Sequence, residues 1–408
     1  MLKVVHLSTS RFGGAGRAAF RLHEGLLASQ PIHSTFISAD NNTADCDQNY
    51  INIRYPKHRL YHRLANKCGF PLLQFHKNMG LKAHLKGSPE IYSMPKTDFV
   101  LETLDFLKDA DIINLHWISN FINYPAFFQA YKNKPIVWTL HDMNPFMGGF
   151  HYHNDFINNP SYHLLENFLV DLKKETIKSV KNLNIVSPSK WLMNEALESN
   201  VLSNIKKTTV IPYGLDLNQF KPLDKKEAKK RLLIDTDLPC LLIVSQDLKT
   251  PRKGFELLIK ALESLNGKDF QLLTIGNHKL NLNVNFKIKE LGHVNNDELL
   301  SVAYSAADLF ILPSREDNLP NVMLESFACG TPVISFKVGG MLDWIRPGFN
   351  GLFCESIDSK GLKDGLEKFL ISNEQFDAQK IREFAETNFA SDIQAKHYID
   401  FYQSILNS

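Results

Sequence analysis

Residues 309–335 read L-F-I-L-P-S-R-E-D-N-L-P-N-V-M-L-E-S-F-A-C-G-T-P-V-I-S. Four apolar residues, Leu309–Leu312, form a buried strand. Asn318, Leu319 and Pro320 form a loop, and Asn321 caps a helix that runs to about Ala328. A second short apolar run begins at Val333. Two strands joined through a helix make a βαβ unit, and such units build parallel sheets. In those sheets ligands bind at the carboxyl ends of the strands. The helix start offers backbone N–H groups to an anion. Asp317 stands in the loop and Glu325 eight residues on, in the helix, so two carboxylates flank that start and could hold hydroxyls. A ligand with phosphates in its middle and sugars at both ends suits this pairing; an ordinary surface loop and helix is the plainer alternative.

The same alternation extends in both directions. Strands are expected at residues 3–7, 112–116, 135–140, 183–186, 240–244 and 271–275, with helices at 15–28, 255–265 and 297–306. The pattern pauses at T-V-I-P-Y-G-L-D-L-N-Q-F-K-P, residues 209–222, whose two prolines and glycine read as a linker. The chain of 408 residues is long enough for two or three domains. The expected division is 1–208, 209–388 and a C-terminal helix, 389–408, packing back on the first domain. At 44% hydrophobic and 22% charged residues the composition excludes a largely disordered chain. No apolar run is long enough to span a membrane. Five cysteines without a CxxC fit a reducing compartment, and the start M-L-K-V-V-H-L reads as a core strand, so a cytoplasmic protein is expected.

Three further windows bear on chemistry. K-T-P-R-K-G-F-E-L, residues 249–257, puts Arg252 and Lys253 at a strand end. Two cations there would neutralise a diphosphate without a metal; the alternative is a solvated basic turn. R-F-G-G-A-G-R, residues 11–17, lets the Gly13 and Gly14 backbone approach a phosphate. It is neither G-x-G-x-x-G nor a Walker loop, which argues against a nicotinamide or P-loop enzyme. H-D-M-N-P-F-M-G-G-F-H-Y, residues 141–152, places His141 and Asp142 at a strand end. Its histidines match no zinc spacing and read as surface residues near a flexible glycine loop. No metal is expected.

Residues 48–89 contain no Asp or Glu and eight Lys or Arg. Arg59, Arg63 and Lys67 recur every four residues beside Leu60, Tyr61, Leu64 and Ala65, which reads as a basic amphipathic helix over 57–67. It suits an anionic membrane surface or the phosphates of an acceptor. A nucleic-acid module would leave the Asp317–Glu325 window unexplained, so no nucleic-acid partner is expected.

Together these windows resemble the family 4 retaining glycosyltransferases of the GT-B fold. The carriers are Gly13 and Gly14, His141, S-P-S-K-W at 187–191, I-P-Y-G-L-D at 211–216, Lys253–Gly254, G-H-V at 292–294 and D-N-L-P-N-V-M-L-E-S-F-A-C-G-T-P-V at 317–333. H-D-M-x-P-F-x-G-G-x-H-Y is similar to the colanic-acid and O-antigen branch. The resemblance implies two Rossmann-like domains whose parallel sheets face a central cleft, and a UDP- or GDP-linked sugar donor with no further cofactor. It implies a glycan or lipid-linked acceptor handled by the N-terminal half. It assigns the donor sugar to the Asp317 region, with Asn318, Leu319 and Pro320 facing sugar and phosphates. Glu325 falls to the ribose, Val294 to the base, Lys253 to the phosphates and His141 to the donor sugar or the reacting centre. The family's first acid is usually Glu, and its G-R is Ser245-Gln246 here, so Arg252 takes the arginine's role. A non-catalytic or non-transferring relative, such as a nucleotide-sugar binding protein or an epimerase, is the alternative.

Overall fold

The structure, a computed structural model, describes the chain except residues 30–31, 41–48, 58–59, 246–249, 266, 278–281, 373–375 and 408, and the side chain of Leu60. It divides into two compact units. Unit 1 comprises Met1–Ile211 with Gln394–Ser408, and unit 2 is Pro212–Ile393. The division thus falls three residues beyond the expected 208/209, because β7 below occupies the start of the supposed linker. Ile211, Tyr213, Leu215 and Phe220 are buried, so this stretch is packed chain.

Among the described residues unit 1 holds a seven-stranded sheet. Its strands are β1 (Leu2–Leu7), β2 (Ile32–Ser38), β3 (Tyr50–Asn52), β4 (Ile112–Leu115), β5 (Ile136–Thr139), β6 (Leu183–Ser187) and β7 (Ile205–Val210). Their order is β3-β2-β1-β4-β5-β6-β7 and every pairing is parallel. Among its described residues unit 2 holds six strands, β8 (Cys240–Val244), β9 (Gln271–Ile275), β10 (Lys287–Glu290), β11 (Leu309–Leu312), β12 (Val333–Phe336) and β13 (Gly351–Cys354). Their order is β10-β9-β8-β11-β12-β13, again all parallel. Central strands such as IINL, IVWT and LFIL are buried at every residue, as strands covered on both faces must be.

The helices that matter below are α1 (Gly13–Ala28), α2 (Leu60–Lys67), α3 (Gln74–Lys82), α4 (His163–Ile177), α5 (Phe255–Ser264), α6 (Asp297–Ala306), α7 (Asn321–Ala328) and α8 (Ser391–Leu406). α1 lays Ala18, Ala19, Leu22 and Leu26 on the unit 1 sheet, a one-sided apolar face. α8 is tied to that sheet as well. Ala395, Tyr398, Tyr402 and Ile405 share a cluster with Val4, Val137 and Val186. The buried tyrosine hydroxyls find partners, as they must: Asn114 donates to Tyr402 at 2.8 Å, and Thr139 lies 3.0 Å from the Tyr398 hydroxyl. No helix among the described residues is long and apolar enough to cross a membrane.

Candidate active site

In unit 2 the loop between β11 and α7, residues 313–320, is clamped from two sides. On one side a 3-10 turn, Pro251–Lys253, ends at Gly254 with φ +68°. A Cβ there would stand 1.9 Å from the Pro313 carbonyl oxygen, so both the backbone angle and the space demand glycine. The Arg315 amide donates to the Arg252 carbonyl at 2.8 Å, and Arg252 Nη1 donates to the Glu316 carbonyl at 3.0 Å. On the other side Gly339 has φ +55°, and a Cβ on it would meet the Asp317 carbonyl oxygen at 1.8 Å. The next amide, Gly340, donates to that same oxygen at 3.2 Å. The sequence pointed to Gly254 but not to Gly339 and Gly340, whose partner lies more than twenty residues earlier.

The clamp brings Asp317, Lys253 and Arg252 together. Lys253 Nζ lies 2.6 Å and Arg252 Nη1 3.6 Å from Asp317 Oδ2. The Asn318 amide donates to Asp317 Oδ1 at 3.0 Å, so it is engaged by the neighbouring carboxylate. Burial alone would raise the Asp317 pKa; Lys253 and then Arg252 outweigh it and hold the group below the usual carboxylate range. The acid is therefore ionised, and it joins both cations in one cluster.

Asn321 does not cap the helix. α7 starts at Asn321 itself, with Pro320 at the flanking position in extended backbone and no side-chain cap bond. Pro320, with φ at −65°, takes the flanking position, and the helix starts one residue earlier than an Asn321 cap would place it. Glu325, one turn into α7, is buried at 4% exposure and accepts from the Tyr304 hydroxyl of α6 at 3.2 Å. Leu319 is buried, and Val294 is half-buried in the loop after β10. Gln246 and Lys249 lie outside the described residues.

In unit 1, Gly13 and Gly14 open α1 and are exposed, with Gly13 at φ +74°. Asp40, which the sequence did not single out, organises the preceding loop. It accepts from the Arg11 amide at 3.1 Å, Ser38 at 2.7 Å and Tyr50 at 2.9 Å, and from the Ser10 hydroxyl.

His141 and Asp142 follow β5. His141 is buried, and burial lowers its pKa to about 4. Asp142 Oδ2 accepts from Trp117 Nε1 at 2.8 Å and faces His151 Nδ1 at 2.6 Å, while the Asn144 amide donates to Oδ1 at 3.0 Å. His151 Nε2 in turn meets Ser93 Oγ at 2.7 Å. The expectation of surface histidines on a flexible loop fails for His141 and His151. The cause lies in α4. Its buried Glu166 accepts from the Gly148 and Gly149 amides at 2.6 and 2.7 Å. Its buried Lys173 donates to the Asn144 and Met147 carbonyls at 2.6 and 2.8 Å. Burial pulls Lys173 down to about 7. Two further histidines that follow this window show no zinc spacing with it either: His153 is exposed and His163 half-buried. Among the described residues no group of three or more His, Cys, Asp or Glu side chains is arranged to hold a metal ion.

The helix expected over 57–67 is present from Leu60 to Lys67, and a second follows it within the basic segment. These are α2 and α3, and Arg59 lies outside the described residues. Arg63 and Lys67 are exposed on α2, and so are Tyr61 and Leu64, at 52% and 54%. Phe70, Leu72, Phe75, Met79 and Leu81 are exposed close by. The Tyr61 and Leu64 side chains therefore do not serve the core. The Asp98 carboxylate accepts from the first amides of α3, Gln74 at 2.7 Å and Phe75 at 2.9 Å, and so offsets the positive end of that helix.

Comparison with known proteins fits this geometry. Residues 224–387 match the family model described as "Glycosyl transferases group 1". A D-inositol 3-phosphate glycosyltransferase of Geodermatophilus obscurus is 30% identical over 197 residues, 42% of this chain and 42% of that protein. The lipopolysaccharide core biosynthesis glycosyltransferase LpsE of Rhizobium meliloti is 30% identical over 164 residues, 38% of this chain and 47% of that protein. The chain thus spans less than half the length of these two curated relatives. Among solved structures, sucrose-phosphate synthase from Thermosynechococcus elongatus superposes with a TM-score of 0.69 at 18% identity, covering 100% of both chains. That likeness establishes the fold: two Rossmann-like domains with parallel sheets, as in GT-B glycosyltransferases. The segment 224–387, which carries Arg252, Lys253, Asp317 and Glu325, is thus similar to the glycosyl transferases group 1 family.

Proposed function

We propose that the protein is a retaining, metal-independent glycosyltransferase. It moves a sugar from a UDP- or GDP-linked donor to a lipid-linked polysaccharide or lipopolysaccharide acceptor, in the manner of the colanic-acid and O-antigen branch. The observation that carries this reading is the buried Asp317 held by Lys253 and Arg252 at the carboxyl end of β11. In the transfer, the bond from the anomeric carbon to the diphosphate oxygen breaks while the acceptor oxygen bonds to that carbon on the same face. Charge builds on the leaving phosphate, and a fixed Lys–Arg pair stabilises it. The acceptor's proton passes to that phosphate, so no protein nucleophile is required. Asp317 serves as counter-ion to the pair until the diphosphate replaces it. Glu325 takes the ribose hydroxyls, Val294 faces the base, the Gly13 and Gly14 amides assist the phosphates, and His141 steadies the donor sugar.

The acceptor side of the proposal rests on unit 1. A surface with exposed Arg63, Lys67 and Lys77, exposed Phe70 and Phe75, and no acid over residues 48–89 suits the anionic inner face of the cytoplasmic membrane. The LpsE relative is itself a protein of lipopolysaccharide core synthesis.

A thermal-shift panel of UDP, GDP and their sugars tests the donor. A ligand at about 100 times its dissociation constant adds about 2.7 kcal/mol of stability. Stabilisation by one nucleotide series, with sugar release that survives EDTA, is the expected outcome. No stabilisation by either series overturns the reading, and loss of activity in EDTA overturns its metal-independent form.

A further inference from the structure

Three neighbouring strands of the unit 1 sheet, β1, β4 and β5, each bring a histidine to their carboxyl ends: His6, His116 and His141. Parallel strands lie about 4.8 Å apart. The three imidazoles therefore stand in a row, with ring centroids 5.2 Å and 5.4 Å apart. The row is bonded edge to edge. His6 Nδ1 lies 2.9 Å from His116 Nε2, and His116 Nδ1 lies 3.1 Å from His141 Nε2. All three side chains are buried. Burial holds His6 and His116 well below the usual histidine range, as it does His141, so each ring is neutral at neutral pH.

A neutral imidazole carries one N–H and one bare nitrogen. Both contacts are hydrogen bonds only when every ring donates in the same direction along the row. The far end selects that direction. His6 Nε2 is buried and has no hydrogen-bond partner among the described residues. The His6 ring also lies against the stacked Phe36 ring and His23, whose Nδ1 is engaged with Ser34 Oγ at 2.7 Å. Were the row to donate from His141 toward His6, this nitrogen would hold an N–H with nothing to accept it. A buried orphan N–H is the rarer defect. Donation from His6 toward His141 leaves a bare lone pair there instead.

We propose that His6 and His116 are positioning residues that lock His141 in the Nδ1–H tautomer. Nε2 of His141 is then spent as the acceptor of His116, and Nδ1 is a hydrogen-bond donor. The proposal deepens the transfer reading and rests on it for one consequence. His141 approaches the donor sugar as a neutral N–H aimed at a hydroxyl oxygen, and does not act as a base.

Long-range 1H–15N correlation on 15N-histidine-labelled full-length protein at pH 7.5 tests this without any assay. Single His→Gln variants assign the signals. The expected result is the Nδ1–H pattern for His6, His116 and His141. His116→Phe should release His141 toward the Nε2–H form that free imidazole side chains prefer in water. His116→Gln, whose amide can still donate, should keep it as Nδ1–H. In turnover, His116→Phe should lower kcat by about tenfold, the worth of one hydrogen bond, and His116→Gln should restore it. An Nε2–H pattern for His141 in the unaltered protein overturns the proposal even if the variants do not fold. So does a His141 pattern that ignores His116→Phe. Absence of any transfer activity, with the three Nδ1–H patterns in place, overturns the transfer reading and leaves the tautomer lock standing.

Discussion

The two sheets present loops at the carboxyl ends of their strands, and the buried groups that sit nearest the centre of each sheet differ in kind. In unit 1 the ends of β1, β4 and β5 hold neutral imidazoles, bonded to one another. In unit 2 the end of β11 holds an ionised Asp317 between Lys253 and Arg252, and its start holds Asp308 between Lys225 and Lys229, at 2.7 and 3.0 Å. A buried charge is tolerated only when paired, whereas a buried neutral group needs only its hydrogen bonds. Unit 2 thus keeps paired cations, which in the proposed function meet a phosphate, and unit 1 keeps an uncharged imidazole row, which there meets a sugar. That difference makes distinct predictions for mutation and for pH.

The largest effect is expected at the unit 2 cluster. Lys253→Ala should lower turnover at saturating donor by roughly 100-fold, because the cation acts on charge that develops only in the transition state. Donor affinity should change far less. Equal turnover at saturating donor would remove Lys253 from the mechanism and blur the contrast between the units.

Next comes acid. The folded-state pKa values of His6, His116 and His141 are depressed, so below about pH 6.5 the unfolded chain takes up protons that the folded chain refuses. Unit 1 should lose stability as pH falls from 6.5, by about 2 kcal/mol per histidine at pH 5. Asp317 and Asp308 behave otherwise. Their pKa values are depressed below the carboxylate range, so their contribution stays whole until pH falls below about 4. Hydrogen exchange at pH 7.5 and 5, corrected for intrinsic rates, should show unit 1 peptides losing protection first. Simultaneous loss in both units would break the comparison.

A smaller effect is expected at Glu325. Glu325→Ala should weaken donor binding by roughly 1.5 kcal/mol, about tenfold, while the fold survives. Calorimetry with the nucleotide diphosphate checks it, and unchanged affinity removes the ribose assignment. The smallest effect per residue belongs to the cationic face of unit 1. Changing Arg63 and Lys67 to Gln should cost about 1 kcal/mol each in binding to phosphatidylglycerol vesicles. Binding should exceed that to neutral vesicles and fall with salt. Unaltered protein that stays in the supernatant with anionic vesicles at low salt leaves this face without a membrane role.

Local pattern alone settled much of the architecture. Cys240–Val244, Gln271–Ile275, Leu309–Leu312 and the helix Asp297–Ala306 are read residue for residue, because an apolar run or a one-sided helical face is a property of the segment itself. The signal failed where a strand is polar or short. Ile32–Ser38 mixes Ser, Thr and His into its apolar run, and Ile205–Val210 is an edge strand with two lysines that passes for linker. Gly351–Cys354 opens on a glycine and was not anticipated. For the site, the sequence determined which residues stand at strand ends: His141, Lys253, Asp317. Only tertiary structure decided what each one meets. Asp317 and Lys253 are 64 residues apart, and His6 and His116 are 110 apart. Their partnership follows from which strands lie side by side, and strand order is set by packing of whole units, which no window of the chain contains.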